Sequence, residues 1–168
     1  MRYLRNSPRS TPPPRFSVTD PILVSACLLG VACRYDGKSK PSPKVISFLE
    51  GKTYIAVCPE EAGGLPTPRP PCVLTGGDGQ DVIGGSAVLV DSEGADRTAA
   101  YIAGAHAALA HAENAGATMA ILKEKSPSCG THRITVEKGS GPEETRGMGV
   151  TAALLASHGV LVISDEEM

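Results

Sequence analysis

Three cysteines of the chain each follow a short apolar run, and their thiols are the side chains best suited to chemistry. Residues 22–26 run into Cys27, residues 54–57 run into Cys58, and residues 119–122 lead through a polar segment to Cys129. Such runs, ended by Gly- or Pro-rich turns, are typical of buried parallel strands, and sites form beyond the carboxyl ends of these strands. We therefore expect the three thiols to meet as ligands of an iron–sulfur cluster or a metal, with one coordination position left over.

The number of cysteines indicates the compartment. The chain has five: Cys27, Cys33, Cys58, Cys72 and Cys129. A disulfide framework favours an even number in a smaller secreted domain, and no apolar signal-peptide region precedes these residues. We therefore expect a cytoplasmic protein, in which clustered cysteines indicate metal binding or catalysis.

Other interpretations of the thiols remain open at this point. A single cysteine after a buried strand is usually a small core residue. Zinc binds the same ligands, commonly with a fourth Cys or His, although the chain has no C-x-x-C pair. Cys33 is expected to be a half-buried loop thiol, with a spare-ligand role as the alternative, and Cys72 is expected to be structural.

Length and charge exclude several classes of protein. The 168 residues suit one domain with a real core, and the net charge of −2 favours neither nucleic acid nor an anionic membrane as a partner. No apolar stretch reaches the length of a transmembrane helix. Aromatic residues make up only 4% of the chain, so Ala, Val, Leu and Ile must build the core, which suits thin α/β layers.

The first twenty residues differ from the rest. They contain four arginines, the run Pro12-Pro13-Pro14 and no acidic residue before Asp20. We interpret residues 1–20 as a disordered tail or as a start placed too early. Residues 21–168 then form a single α/β domain.

The remaining pattern alternates strands with helices. Beyond the three apolar runs, strands are predicted at residues 73–74 and 87–90 across a Gly-rich turn, within residues 131–137, and at residues 160–163. Helices are predicted from Pro43 to about Gly51, from Arg97 to about Asn114, and over residues 150–157. Residues 59–71 are a rigid Pro/Gly-rich segment. The alternation predicts an α/β domain with a mostly parallel, Rossmann-like sheet and helices on both faces.

Six short motifs occur in a distinctive order. They are VSACLLG at residues 24–30, CRYDG at 33–37, CPE at 58–60, GGLPTPRPP at 63–71, SPSCG at 126–130 and GMGVT at 147–151. Together they resemble a family of small bacterial proteins whose studied members are thiouracil desulfurases. The resemblance covers roughly residues 22–164.

This resemblance implies a cofactor, a reaction and a set of residues. The cofactor is a 4Fe-4S cluster held by three cysteines only, which fall on Cys27, Cys58 and Cys129. Catalytic roles are implied for the carboxylate of Glu60 and the hydroxyl of Ser126. The implied reaction removes sulfur from a thiolated pyrimidine without net redox chemistry, and the substrate carried over is a class of small molecules.

The implied reaction is chemically reasonable for these residue types. An iron without a protein ligand is a Lewis acid, and thiolate-rich iron is soft enough to prefer a substrate sulfur. Glu60 could deprotonate the attacking water, with Asp36 as the next candidate, and Ser126 could bind substrate or shuttle a proton. Alternatively, Glu60 and Glu61 form a solvated acidic pair.

Other functions and other residues complete the predictions. A non-catalytic iron–sulfur sensor or sulfide carrier would share the cysteines without needing Glu60, and a zinc-stabilised interaction module would bind zinc instead. Arg69 is expected to be a loop clamp that hydrogen-bonds carbonyl groups. His132 could line the site, and residues 147–149 are expected to serve helix packing rather than anion binding.

Overall fold

The computed structural model describes residues 17–168. The tail predicted over residues 1–20 therefore lies outside the described residues up to position 16. Residues 17–20 form a turn in which Asp20 accepts hydrogen bonds from the backbone of Ser17 at 3.1 Å and the hydroxyl of Thr118 at 3.1 Å. No helix among residues 17–168 is long and apolar enough to cross a membrane.

A four-stranded parallel sheet forms the centre of the molecule, as the sequence predicted. Its strands are β1 (Ile22–Ser25), β2 (Tyr54–Val57), β5 (Met119–Leu122) and β8 (Leu161–Ser164), in the spatial order β2-β1-β5-β8. Ile22 pairs with Tyr54 on one side and with Met119 on the other. The central β1 and β5 are mostly apolar because packed layers cover both of their faces.

A second four-stranded sheet accompanies the first. It contains β3 (Cys72–Thr75), β4 (Val88–Asp91), β6 (Arg133–Glu137) and β7 (Pro142–Arg146), in the spatial order β4-β3-β6-β7. β3 pairs antiparallel with β4 and parallel with β6, and β6 pairs antiparallel with β7. The sequence predicted β3, β4 and β6 but not β7, whose residues PEETR lack an apolar alternation.

Within residues 17–168, five α-helices connect the strands. The three predicted ones are α1 (Pro43–Leu49), α4 (Thr98–Ala115) and α5 (Val150–Ser157). Two short helices, α2 (Pro59–Ala62) and α3 (Gly79–Ile83), occupy segments that the sequence indicated as loop and turn. Proline at the first position starts α2, and a capping box starts α3.

Helices cover both faces of the parallel sheet, which confirms the predicted architecture. The larger core joins residues of α4 and α5 to one face, where Leu23 and Leu122 point. A smaller core joins α1 to the opposite face, where Val24 and Ile121 point. Consecutive strand residues point to opposite faces of a sheet, so this division follows from the strand period.

Two glycines allow α2 to lie directly against α4. A Cβ added at Gly63 would overlap the carbonyl oxygen of Ala100, and one added at Gly104 would overlap the carbonyl oxygen of Pro59. The two backbones therefore touch where α2 leaves the end of β2. This contact fixes the position of α2, the helix that carries Glu60.

Candidate functional site

A cavity of about 570 Å³ lies at the carboxyl ends of β1, β2 and β5 and reaches the edge of the second sheet. This is the location where parallel α/β sheets form ligand sites. All five cysteines of the chain line the cavity, and all are free thiols. Their convergence makes the cavity the candidate functional site.

The three cysteines predicted to meet occupy equivalent positions after their strands. Cys27 lies in the 3₁₀ turn that follows β1, Cys58 precedes the first residue of α2, and Cys129 lies in the loop after β5. Gly30 closes the turn around Cys27 with a φ of 94°, a conformation that favours glycine. Cys27 and Cys129 are buried, and Cys58 is half-buried.

The structure also brings Cys33 and Cys72 to this cavity. Cys33 is only 2% exposed, so the prediction of a half-buried loop thiol was wrong. Its carbonyl oxygen accepts a hydrogen bond from Cys58 Sγ at 3.6 Å, and its thiol contacts the thiols of Cys27 and Cys58. Cys72 faces the cavity from β3 and is hydrogen-bonded to Tyr101.

The environment of Cys33, Cys58 and Cys129 disfavours the ionised form of their thiols in the protein alone. The hydrogen bond with Cys27 and burial raise the pKa of Cys33 to about 11. The hydrogen bond with Cys33, together with burial, raises the pKa of Cys58, and burial raises the pKa of Cys129 to about 12. A bound cation would compensate this cost, because metal binding displaces thiol protons.

The donor set fits an iron–sulfur cluster. Among residues 17–168, no three His, Cys, Asp or Glu side chains are arranged to hold one metal ion. A four-iron cluster binds each cysteine through a different iron, so its thiolates need not converge on one point. Buried thiols spread around one cavity satisfy that requirement.

Glu60 enters the same cavity from α2. Its side chain forms an ion pair with Arg69, with 2.6 Å between Oε2 and Nε. The interpretation of Glu60 and Glu61 as a solvated acidic pair is wrong for Glu60, which is only 8% exposed. Glu61 is exposed and accepts a hydrogen bond from the hydroxyl of Thr67 at 2.6 Å.

Arg69 is the loop clamp predicted from the sequence, and it also forms an ion pair with Glu60. Its Nη1 donates to the carbonyl oxygen of Pro66 at 3.1 Å, and its Nη2 donates to that of Cys33 at 2.9 Å. Burial opposes the charge on this guanidinium, but the carboxylate of Glu60 keeps the pKa of Arg69 above its ordinary value. Arg69 thus joins the carbonyl clamp to the buried carboxylate.

Ser126 and Ser128 connect the third cysteine to Glu60. Ser126 Oγ accepts from the backbone N–H groups of Ser128 at 3.2 Å and Cys129 at 3.1 Å, and lies 3.1 Å from Ser128 Oγ. Ser128 Oγ donates to Glu60 Oε1 at 3.3 Å and lies 3.6 Å from Cys129 Sγ. Ser128 was not predicted, although its place beside Cys129 in the SPSCG motif was a signal.

The N-terminus of α5 holds this serine loop in place. Val150 N–H donates to the carbonyl oxygen of Pro127 at 3.0 Å, and Thr151 N–H donates to that of Ser128 at 2.8 Å. A Cβ added at Gly149 would lie 2.5 Å from the Ser128 carbonyl group. Because these N–H groups already have partners, residues 147–149 serve helix packing, as expected.

Glu124 organises the other side of the loop, and nothing in the sequence distinguished it. Its carboxylate accepts hydrogen bonds from the backbone N–H groups of Thr131 at 3.2 Å, His132 at 3.1 Å and Arg133 at 2.8 Å. Burial opposes its ionisation, but hydrogen bonds from Ser164 and from this backbone outweigh burial and lower the pKa of Glu124 to about 2. The carboxylate therefore fixes the start and the end of the loop.

Two candidates lie outside the cavity wall. Asp36 is exposed and accepts a hydrogen bond from the backbone of Lys38 at 3.1 Å. His132 is also exposed and pairs with Glu167 at 3.1 Å. The structure thus brings Cys27, Cys58, Cys129, Glu60 and Ser126 together and leaves Asp36 and His132 apart.

Three comparisons with known proteins each match most of the chain. A family model described as 2-thiouracil desulfurase matches residues 22–167. An uncharacterised protein of Bacillus subtilis (strain 168), YbbK, is 46% identical over 147 residues, which cover 88% of this chain and 97% of that protein. A solved structure of the [4Fe-4S]-dependent thiouracil desulfidase TudS matches with a TM-score of 0.76 and 42% identity, covering 89% of this chain and 93% of that one.

Proposed function

Because the chain belongs to the 2-thiouracil desulfurase family, we propose that it is a thiopyrimidine desulfurase. It hydrolyses the carbon–sulfur bond of a thiouracil-like base or nucleoside and releases sulfide, without net oxidation or reduction. The observation that carries the proposal is the buried carboxylate of Glu60, which lines the same cavity as the free thiols. A proton acceptor beside soft ligands is what hydrolysis of a thiocarbonyl group requires.

Cys27, Cys58 and Cys129 are the proposed ligands of a 4Fe-4S cluster. The support is their equivalent position after three parallel strands and their shared cavity wall. When bound by these residues, the cluster would supply a soft Lewis acid suited to a thiocarbonyl sulfur. Cys33 and Cys72 lie in the same wall but do not follow strands in this way.

Glu60 is the proposed general base. A carboxylate held inside a cavity can remove a proton from a water molecule aimed at the carbon that bears the sulfur. Ser126 is linked to Glu60 through Ser128, since the two hydroxyl groups lie 3.1 Å apart and Ser128 donates to the carboxylate. This series of hydrogen bonds offers a route by which protons from the attacking water reach the departing sulfide.

Two other functions are less well supported. A sensor or sulfide carrier would have no use for a buried, ion-paired carboxylate in the wall of the cavity that the cysteines line. A zinc-stabilised interaction module would likewise leave this carboxylate without a role. We place the enzyme in the cytoplasm because all five of its cysteines are free thiols.

The test is anaerobic reconstitution with iron and sulfide, followed by incubation with thiouracils and thiouridines. The parent protein should become brown and release sulfide from at least one compound. Glu60→Gln should keep its iron and its absorbance but lose about 10²-fold or more in rate, the usual scale for a lost general base. Glu61→Gln is the matched control, since its exposed carboxylate lies next in the chain, and it should retain the parent's rate.

Ser126→Ala should keep the cluster and lose activity. A reconstituted parent that releases no sulfide from any of these compounds would refute the proposed reaction. If Glu60→Gln turns over like the parent, the base is another group of the cavity.

A further inference from the structure

Arg69 pairs with Glu60 in an unusual orientation. Arginine often grips a carboxylate with two parallel N–H···O bonds that occupy both oxygens. Here Nε of Arg69 bonds to Oε2 of Glu60, while the Nη groups turn away towards the carbonyl oxygens of Pro66 and Cys33. The guanidinium therefore binds only Oε2 of the carboxylate, and Oε1 is left to other partners.

The other carboxylate oxygen, Oε1, contacts the serine loop. Oε1 of Glu60 accepts its hydrogen bond from Ser128, whose hydroxyl also lies beside Ser126 and Cys129. The side chain of Arg69 is 4% exposed and that of Glu60 is 11% exposed, so the pair has little contact with solvent. Arg69 and Ser128 together therefore hold the Glu60 side chain in one rotamer.

Arg69 is itself held rigidly. Its backbone N–H donates to the carbonyl oxygen of Tyr35 at 2.8 Å, and its Nη1 also donates to the hydroxyl of Thr67 at 3.0 Å. Prolines at positions 66, 68, 70 and 71 restrict the backbone on both sides. The guanidinium can therefore act as a fixed reference for the carboxylate.

We propose that Arg69 is the positioning residue of this site, which binds Oε2 of Glu60 and so assigns Oε1 as the oxygen that accepts the proton from water. This inference rests on the proposed role of Glu60 as the base. A lysine could supply the charge but not the geometry, because an ammonium group cannot reach the carboxylate and two carbonyl oxygens with a planar fork.

The test is a double-mutant cycle of Glu60→Gln and Arg69→Lys in the reconstituted enzyme. With 2-thiouracil, or whichever screened compound the parent turns over, Arg69→Lys should lower kcat about 10-fold or more, with KM within about 2-fold of the parent. The double variant should be no slower than Glu60→Gln alone, because a residue that acts through Glu60 has nothing left to position. Iron content should be the same in all four proteins.

Two further variants separate positioning from a general structural role. Glu60→Asp leaves the carbonyl clamp of Arg69 intact but withdraws the carboxylate by one methylene, so kcat should again fall about 10-fold or more. Arg146→Lys is the control: it changes an exposed arginine of β7 that does not line the cavity, so kcat should stay within about 2-fold of the parent.

The outcomes distinguish this inference from the function on which it rests. Suppose that Glu60→Gln is impaired and that the double variant is slower by the product of the two single effects on kcat. The positioning role of Arg69 is then overturned, while the role of Glu60 as the base is retained. An Arg69→Lys protein that fails to fold leaves the decision to Glu60→Asp, and parent-like turnover there would overturn the proposal. If the parent has no activity, the same cycle is measured as free energies of unfolding of the apoprotein in urea. Absence of a coupling energy between Glu60 and Arg69 there would overturn the pairing.

Discussion

The carboxylate of Glu124 should be a major source of stability for the loop that carries Ser126, Ser128 and Cys129. Its folded pKa of about 2 lies well below the ordinary value of 4.5, because its hydrogen bonds favour the ionised form. This difference corresponds to about 3 kcal/mol at neutral pH. Since the folded-state pKa is lowered, the contribution is fully present above about pH 4.5 and is lost as the pH falls through about 2.

Glu124→Gln should therefore lower the free energy of unfolding by about 3 kcal/mol at pH 7. The amide keeps one acceptor but turns an NH₂ group towards backbone N–H donors. The assay is urea unfolding of the apoprotein, followed by circular dichroism. At pH 3 the difference from the parent should shrink to about half or less, because the parent has by then lost most of the contribution.

Glu143→Gln is the matched control. Glu143 lies exposed on β7, so its substitution should change the free energy of unfolding by no more than about 0.5 kcal/mol. The reasoning is refuted if Glu124→Gln and Glu143→Gln unfold alike at pH 7. An equal deficit of Glu124→Gln at pH 3 and pH 7 would also refute it, since the effect would then not depend on the ionised form.

Two further predictions concern the ligands and the helix that carries Glu60. Cys33→Ser and Cys72→Ser should keep the iron and the brown colour after reconstitution, whereas Cys129→Ser should lose both; iron loss from Cys33→Ser would add this residue to the ligand set. Gly104→Ala should lower the free energy of unfolding by about 1–3 kcal/mol and reduce sulfide release, because its methyl group would push against the carbonyl oxygen of Pro59 and displace α2. His106→Ala, at an exposed position of the same helix, is the control, and equal behaviour of the two variants would count against the close packing of α2 and α4.

The parallel sheet and the meeting place of its cysteines were predictable because they depend on local signals. Apolar runs ending in turns mark the strands, and parallel strands end at one edge, so Cys27, Cys58 and Cys129 could be placed together. The polar strand β7 carries no such signal, since it forms only by pairing with β6. The burial of Cys33 was equally hidden, because it depends on how a loop folds back over two other segments.

The partners of the catalytic candidates were less predictable than the candidates themselves. Glu60 follows a strand-end cysteine, but its pairing with Arg69 requires a turn of helix and a proline-rich return that the sequence does not specify. Glu124 lies between Lys123 and Lys125, and such a charged segment indicates a surface residue. Its burial arises only when the loop from Thr131 to Arg133 wraps around it.

The hydrogen bonds from α5 to the serine loop have a consequence for the order in which the protein can mature. Cys27 and Cys58 leave the ribosome early, but the carbonyl groups of Pro127 and Ser128 find their donors at Val150 and Thr151. The third cysteine therefore reaches its final place only after nearly the whole chain has been synthesised and α5 has docked. A product truncated before α5 would carry every cysteine but would lack the hydrogen bonds that hold the loop of Ser126, Ser128 and Cys129.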